Sequence, residues 1–149
     1  LIGQRVTFAG YGGSGPGNNN GLIYDNNNRA AENIVDFSTG SGGSKFWWTV
    51  FTNPNTGQAL PLEGTTAGGD SGGGMFWHDG AAWRLTGLTS WGTDTLSRYG
   101  DQAAFVALHE HTAWLEQQTG ITAVPEPASM LALGAGLLAL ARRRRKPQA

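Results

Sequence analysis

The sequence predicts an all-β domain of short strands and tight turns, closed by one helix. Three observations carry that prediction. Glycine is abundant, at 24 of 149 residues, and it supplies the positive φ that tight turns need. Six Trp, six Phe and three Tyr accompany it, whereas disordered chains are poor in aromatics. Apolar and β-branched runs are short and recur at turn-sized intervals, the pattern of a small barrel or sandwich. The pattern alone leaves those two architectures open, and the length is enough for one domain with its own core.

Each element follows from local chemistry. Residues 1–9 contain Val6, Thr7 and Phe8 and read as a strand. Residues 10–21 (G-Y-G-G-S-G-P-G-N-N-N-G) are turn chemistry. Residues 22–24 form a short strand, 25–28 a polar turn, and 29–37 a strand around Ile34, Val35 and Phe37. A Gly/Ser loop spans 38–44. Residues 46–51 (F-W-W-T-V-F) are aromatic and β-branched, a strong strand signal. Pro54 lies in a turn at 53–57, and 60–74 is Gly-rich and irregular. Residues 75–77 and 83–89 pair as a hairpin around His78, Asp79 and Gly80. Residues 93–101 are a loop and 103–108 the last strand. Residues 111–118 show helical spacing through Trp114 and Leu115, and Gly120 is the stop.

The formal net charge of −1 conceals an asymmetry. Arg142, Arg143, Arg144, Arg145 and Lys146 are half of the ten basic residues, whereas Glu126 is the one acidic residue of the tail among eleven in the chain. The body is therefore acidic. That argues against nucleic acid as a partner, because phosphate binding needs a basic face. The chain has no cysteine, which rules out disulfides without arguing for a cytosolic home. Leu1 begins directly on strand-like sequence, with no initiator Met and no signal peptide. The expectation is a fragment whose beginning lies upstream.

The tail has three parts. Val124-Pro125-Glu126-Pro127 breaks the domain pattern, residues 128–141 are uncharged and rich in Leu, Ala and Gly, and the basic cluster follows. The apolar run is shorter than the ~20 residues that comfortably span a bilayer. It has no polar face, and the Arg block would hold its end on the cytoplasmic side. This order resembles the PEP-CTERM sorting signal of Gram-negative bacteria. The resemblance implies a hydrophobic sorting helix that anchors transiently in the inner membrane, with Pro125, Glu126 and Pro127 as the sorting motif. It also implies cleavage there by an exosortase-type enzyme, then release or attachment at the cell surface. The expected division is a domain at 1–122 and a sorting segment at 123–149.

The chemistry concentrates in Gly68-Gly69-Asp70-Ser71-Gly72-Gly73-Gly74. Serine is a weak nucleophile. A fold that uses it presents the hydroxyl at a tight turn, beside backbone N–H groups that receive a developing oxyanion. Glycines on both sides permit that turn, and Asp70 can anchor it internally. A Gly-rich loop with an incidental serine reads equally well from this segment alone.

Downstream residues add weight. Thr86-Gly87-Leu88-Thr89-Ser90-Trp91-Gly92 follows one hairpin later, then Phe105-Val106-Ala107-Leu108 and Trp114-Leu115, while Val6 to Gly13 (V-T-F-A-G-Y-G-G) stands upstream. Together these segments resemble the trypsin-like (chymotrypsin-fold) serine proteases, over roughly residues 1–118 and in the family's order. The resemblance implies a six-stranded antiparallel Greek-key β-barrel, the second barrel of such a protease, with a C-terminal helix carrying an inward Trp. It implies a serine endopeptidase acting on polypeptides without a cofactor or metal. Ser71 would be the nucleophile, the N–H groups of Gly69 and Ser71 the oxyanion hole, and Asp70 the buried brace. Ser90, Trp91 and Gly92 would bind an extended substrate. Thr65 would stand at the base of the specificity pocket, where its neutrality argues against a preference for Lys or Arg. Ala103 on the pocket wall would favour small or medium apolar side chains.

The resemblance also implies a general-base His and its Asp partner, both earlier in the chain than the serine. Here His78, His109 and His111 all follow Ser71, and they read most simply as surface or helix-terminal residues, with Asp94 and Asp101 as loop carboxylates. His109-Glu110-His111 without further ligands is a weak metal signal. A first barrel upstream of Leu1 is expected to hold the missing pair, so the fragment is expected to be inactive by itself. The alternative from another class is a non-catalytic surface scaffold or adhesion module on the same barrel.

Overall fold

The computed structural model describes residues 1–18 and 21–122. The expected sorting helix lies outside the described residues. Seven strands form: β1 (Arg5–Gly10), β2 (Arg29–Ile34), β3 (Phe37–Thr39), β4 (Phe46–Val50), β5 (Gly74–His78), β6 (Trp83–Gly92) and β7 (Gln102–Ala107), followed by one helix, α1 (Thr112–Thr119). All strands pair antiparallel in one sheet, in the order β2-β1-β5-β6-β7-β4-β3. The chain divides into a unit from Leu1 to His111 and a second from Thr112 to Ala149.

The sheet curls into a half-barrel, for a reason visible in its order. β2 and β3 are its two end strands, yet only Val35 and Asp36 separate them in sequence. The ends must therefore approach each other. Val35 is fully buried; its N–H donates to the Gln4 carbonyl (3.0 Å) and its carbonyl accepts from Gly3 N–H (2.7 Å). The next N–H, of Asp36, donates instead to Trp48 of β4 (2.8 Å). This change of partner splits the expected strand at 29–37, so seven strands stand where six were expected.

Alternation places the core. Val6 and Phe8 of β1, Trp47 of β4, Met75 of β5, and Ala103, Phe105 and Ala107 of β7 form one buried cluster with Val35. Phe8 and Phe105 meet with ring centroids 5.4 Å apart. Ala104 and Trp48 point the other way and are also buried. Trp48 stacks on Phe37 (5.6 Å), donates through Nε1 to Thr39 Oγ1 (2.7 Å), and meets the edge of Trp91 (4.8 Å). β4 is thus packed on both faces, as its continuous F-W-W-T-V run requires. The expected strand at 22–24 reduces to a single bridge between Ser14 and Ile23.

The β5–β6 hairpin turns where His78, Asp79 and Gly80 place it. One Asp79 oxygen accepts from Ala81 and Ala82 N–H, both at 2.8 Å, and the other pairs with Arg84 Nε (2.6 Å). α1 ends as expected, with Gly120 at φ 69° and its N–H on the Glu116 carbonyl (2.8 Å). Trp114, expected to point inward, is 60% exposed. Its neighbours at the next turn are Gln117 and Gln118, so the helix has no apolar stripe to bury.

Two outcomes follow. Thr49 is fully buried and its hydroxyl has no partner among the described residues. Thr49→Val is expected to raise stability by about 1 kcal/mol, measured by urea unfolding. The Asp79 carboxyl is held well below the usual carboxylate range, first by the Ala82 and Ala81 N–H groups and then by Arg84. A lowered folded-state value means that its contribution is present above the ordinary carboxylate range and is lost only as pH falls through the lowered value. The hairpin amides of Ala81 and Ala82 are expected to stay protected from hydrogen exchange at pH 4 in wild type and to lose protection in Asp79→Ala.

Candidate functional site

The segment 67–73 forms a compact double turn between two strands. Asp70 N–H donates to the Ala67 carbonyl (3.1 Å) and Gly73 N–H to the Asp70 carbonyl (2.9 Å). Gly69 and Gly72 adopt φ of 98° and 81°, a region where a side chain is strained. The far end docks on β6: Gly72 N–H donates to the Thr89 carbonyl (2.9 Å), and Thr89 N–H donates back to Gly73 (2.8 Å). The near end docks on the segment after β1, where Gly13 N–H donates to the Gly68 carbonyl (3.0 Å). Ser71 sits exposed at the crest.

Asp70 braces this turn from below. Oδ1 accepts from Gly12 N–H (2.7 Å) and Oδ2 from Ala67 N–H (2.8 Å). The carboxylate is half-buried rather than buried, and both its oxygens are held by backbone of this domain. It occupies the space of two absent side chains. A Cβ on Gly10 would lie 2.1 Å from Oδ1, and one on Gly12 would lie 2.6 Å from the same atom. Sequence reasoning placed Asp70 as a brace but missed its partners. The signal was the pair of glycines two apart at the exit of β1.

Two further features surround Ser71. Among the described residues, neither Gly69 N–H nor Ser71 N–H finds an acceptor. The two unpaired donors lie two residues apart in a tight turn. Beside them, β6 outruns its neighbour: β5 pairs with it only as far as Leu88, whereas β7 pairs with it to Gly92. Ser90, Trp91 and Gly92 therefore present an open, exposed edge. A bulge between Thr89 and Trp91 leaves Ser90 without a partner in the register. Trp91 stands edge-on to Trp48 and to Phe46 (6.4 Å) and keeps 51% of its surface exposed.

A cavity of about 180 Å³ lies under the turn and includes Thr65, Thr66, Asp70, Thr89 and Ser97 in its lining. Ser97, in the left-handed region at φ 53°, ties its loop to this floor by donating Oγ–H to the Thr66 carbonyl (2.9 Å). The cavity thus joins Thr65 to Asp70. Ser90, Trp91, Gly92 and Ala103 do not line it, and Ala103 is fully buried in the core.

The remaining titratable candidates stand outside the turn at 67–73. His78 accepts through Nδ1 from Gly80 N–H (3.2 Å) and meets Trp83 edge-on. His109 stacks on Trp47 at 5.2 Å, with Nε2 3.3 Å from Lys45 Nζ and 3.2 Å from Glu110. His111 Nε2 is buried without a hydrogen-bond partner among the described residues. Asp94 pairs with Arg98, whose hydrogen bond lowers the Asp94 carboxyl below its ordinary value. Asp101 accepts from Arg98 N–H (2.6 Å). Among the described residues no three His, Asp or Glu side chains stand together as a metal site.

Residues 123–146 match the family model of the PEP-CTERM protein-sorting motif. The chain therefore carries that motif, with Pro125, Glu126 and Pro127 inside the matched stretch. The motif suggests export and sorting to the cell surface, and it implies recognition by an exosortase-type sorting enzyme. A search of curated proteins returned no match to the chain. Among the described residues no helix is long and apolar enough to cross a membrane, and the apolar run at 128–141 lies outside them.

Because the Asp70 carboxylate fills the space above Gly12, Gly12→Ala is expected to displace it and cost about 1–3 kcal/mol, as over-packing does. Urea unfolding measures the loss. Gly57→Ala is the control, since it carries a similar burden of added methyl but faces open space at φ 72°; it is expected to leave the amide signals of Gly12 and Ala67 unmoved, whereas Gly12→Ala shifts the Ala67 signal.

Proposed function

We propose that this chain is the nucleophile-bearing barrel of an exported serine endopeptidase of the trypsin-like type, with Ser71 as the nucleophile. One observation carries the reading: an exposed serine, whose own N–H and that of Gly69 find no acceptor among the described residues, sits on a turn that Asp70 braces from within. The strand order supports it. Taken as one bent strand, β2 and β3 turn the sheet into a six-stranded Greek-key barrel running β1, β2/β3, β4, β7, β6, β5 and back to β1.

The chemistry is acyl transfer. Ser71 Oγ attacks the scissile carbonyl carbon as its proton passes to a general base. The N–H groups of Gly69 and Ser71 receive the developing oxyanion. The amine leaves with a proton, and water then hydrolyses the ester on Ser71. The base and its carboxylate partner come from outside the described residues. Substrate lies extended along Ser90–Gly92 as an added strand, with its side chain directed toward neutral Thr65. Binding the oxyanion with backbone dipoles suits an acidic domain, because it needs no cationic side chain.

A scaffold or adhesion role is the second reading. It is favoured by the Ser71 hydroxyl, which has no hydrogen-bond partner among the described residues.

A fluorophosphonate probe separates the two. The natural full-length protein is expected to be labelled once, at Ser71, and Ser71→Ala to abolish the adduct on intact-mass analysis. A folded protein that stays unlabelled would sink the endopeptidase reading and leave the scaffold.

A further inference from the structure

The exposed surface on the far side of Ser71 from β6 has no part in the scheme so far. Ser71 stands between two docking points: its turn is tied to β6 through Thr89 on one side, and to the segment after β1 through Gly13 on the other. An extended chain that lies along Ser90–Gly92 and presents a carbonyl to Ser71 must leave the site across the second side. That side is aromatic and apolar. Tyr11, Ile23 and Tyr24 are 60%, 66% and 64% exposed. Ile23 is fixed by paired backbone hydrogen bonds with Ser14, both 2.9 Å. Tyr24 lies over the glycines that precede the nucleophile: a Cβ on Gly13 would come within 2.9 Å of its ring, and one on Gly68 within 3.3 Å of its hydroxyl. The adjacent Asp25 is held in a two-pronged pair by Arg29 (2.7 and 2.6 Å), so the local charges largely cancel and leave apolar contact as the main source of recognition.

We propose that Tyr24, with Tyr11 and Ile23 beside it, is the binding surface for the leaving-group half of the peptide, and that it selects an aromatic or large aliphatic side chain on the amine side of the scissile bond. This rests on Ser71 being the nucleophile. Tyr24 suits the role because its ring is rigid and amphipathic, and packing of one ring on another apolar group adds to area burial. Its ring takes space left open because Gly13 and Gly68 carry no side chains, and Gly68 is three residues before Ser71.

The reverse of the leaving step isolates this surface. An acyl-enzyme made on the full-length protein from N-acetylalanine methyl ester partitions between water and an added amino-acid amide. The amine nitrogen attacks the ester carbon, Ser71 Oγ departs and regains a proton, and an N-acetyl dipeptide amide forms. Mass spectrometry measures the dipeptide-to-acid ratio. Phenylalaninamide and leucinamide are expected to capture the acyl group about 5-fold better than glycinamide. Tyr24→Ala is expected to remove most of that preference, and Tyr24→Phe to retain it. Fluorophosphonate labelling of Ser71 is run on each variant. Labelling at the wild-type rate with no amide preference, or with a preference that Tyr24→Ala leaves unchanged, overturns the surface and spares the nucleophile. No labelling of the wild-type protein overturns both.

Discussion

The molecule depends on a joint of two residues. Val35 and Asp36 connect the strands at opposite ends of the sheet order, so the backbone itself requires the sheet to curl. Val35 bonds toward the N-terminal segment and Asp36 toward β4. The buried Val35 side chain joins the cluster that Phe105 and Met75 fill. The curl, and with it the enclosed core, follow from this one change of partner. A flat sheet of the same strands would leave Val6, Phe8 and Phe105 on an uncovered face, at about 25 cal/mol for every Å² of apolar surface left in water.

The pairing of β1 with β5, Phe8 opposite Met75, brings the exit of β1 under the turn at 67–73, and there absence matters more than presence. Gly10 and Gly12 have no side chains, so the Asp70 carboxylate can enter and accept two backbone hydrogen bonds. Charge-assisted bonds of that kind are about twice as strong as neutral ones. They hold the turn whose own N–H groups, at Gly69 and Ser71, are left unpaired among the described residues. Elsewhere the carboxylates Asp25, Asp79 and Asp94 each close a local turn with a nearby arginine. Asp70 differs in bonding to backbone alone, across 58 residues of sequence.

The strands were legible where the local signal was strong. F-W-W-T-V, the hairpin at His78 to Gly80 and the stop at Gly120 all stand where the sequence places them. Legibility failed where a neighbour decided. Residues 22–24 have strand chemistry but gained only a bridge to Ser14, because strand pairing needs a partner of matching length. Trp114 looked like a core residue and is exposed, because a helix buries a face and its neighbours at the next turn are glutamines. The end of β6 ran three residues further than expected because β7 continues to pair with it.

The sequence by itself determined the all-β class, the sorting motif at 123–146, and the serine between glycines that focuses attention on one loop. Each is a property of contiguous residues, so composition and spacing carry it. Only the tertiary structure decided that Asp70 is held by Gly12 and Ala67, that Thr65 shares a cavity with it while Ala103 lies in the core, and that Ser90 to Gly92 form an open edge. Those facts depend on which distant segments meet: the glycines at 10 and 12 mark a close approach, but nothing in their local sequence names Asp70, 58 residues on, as what approaches.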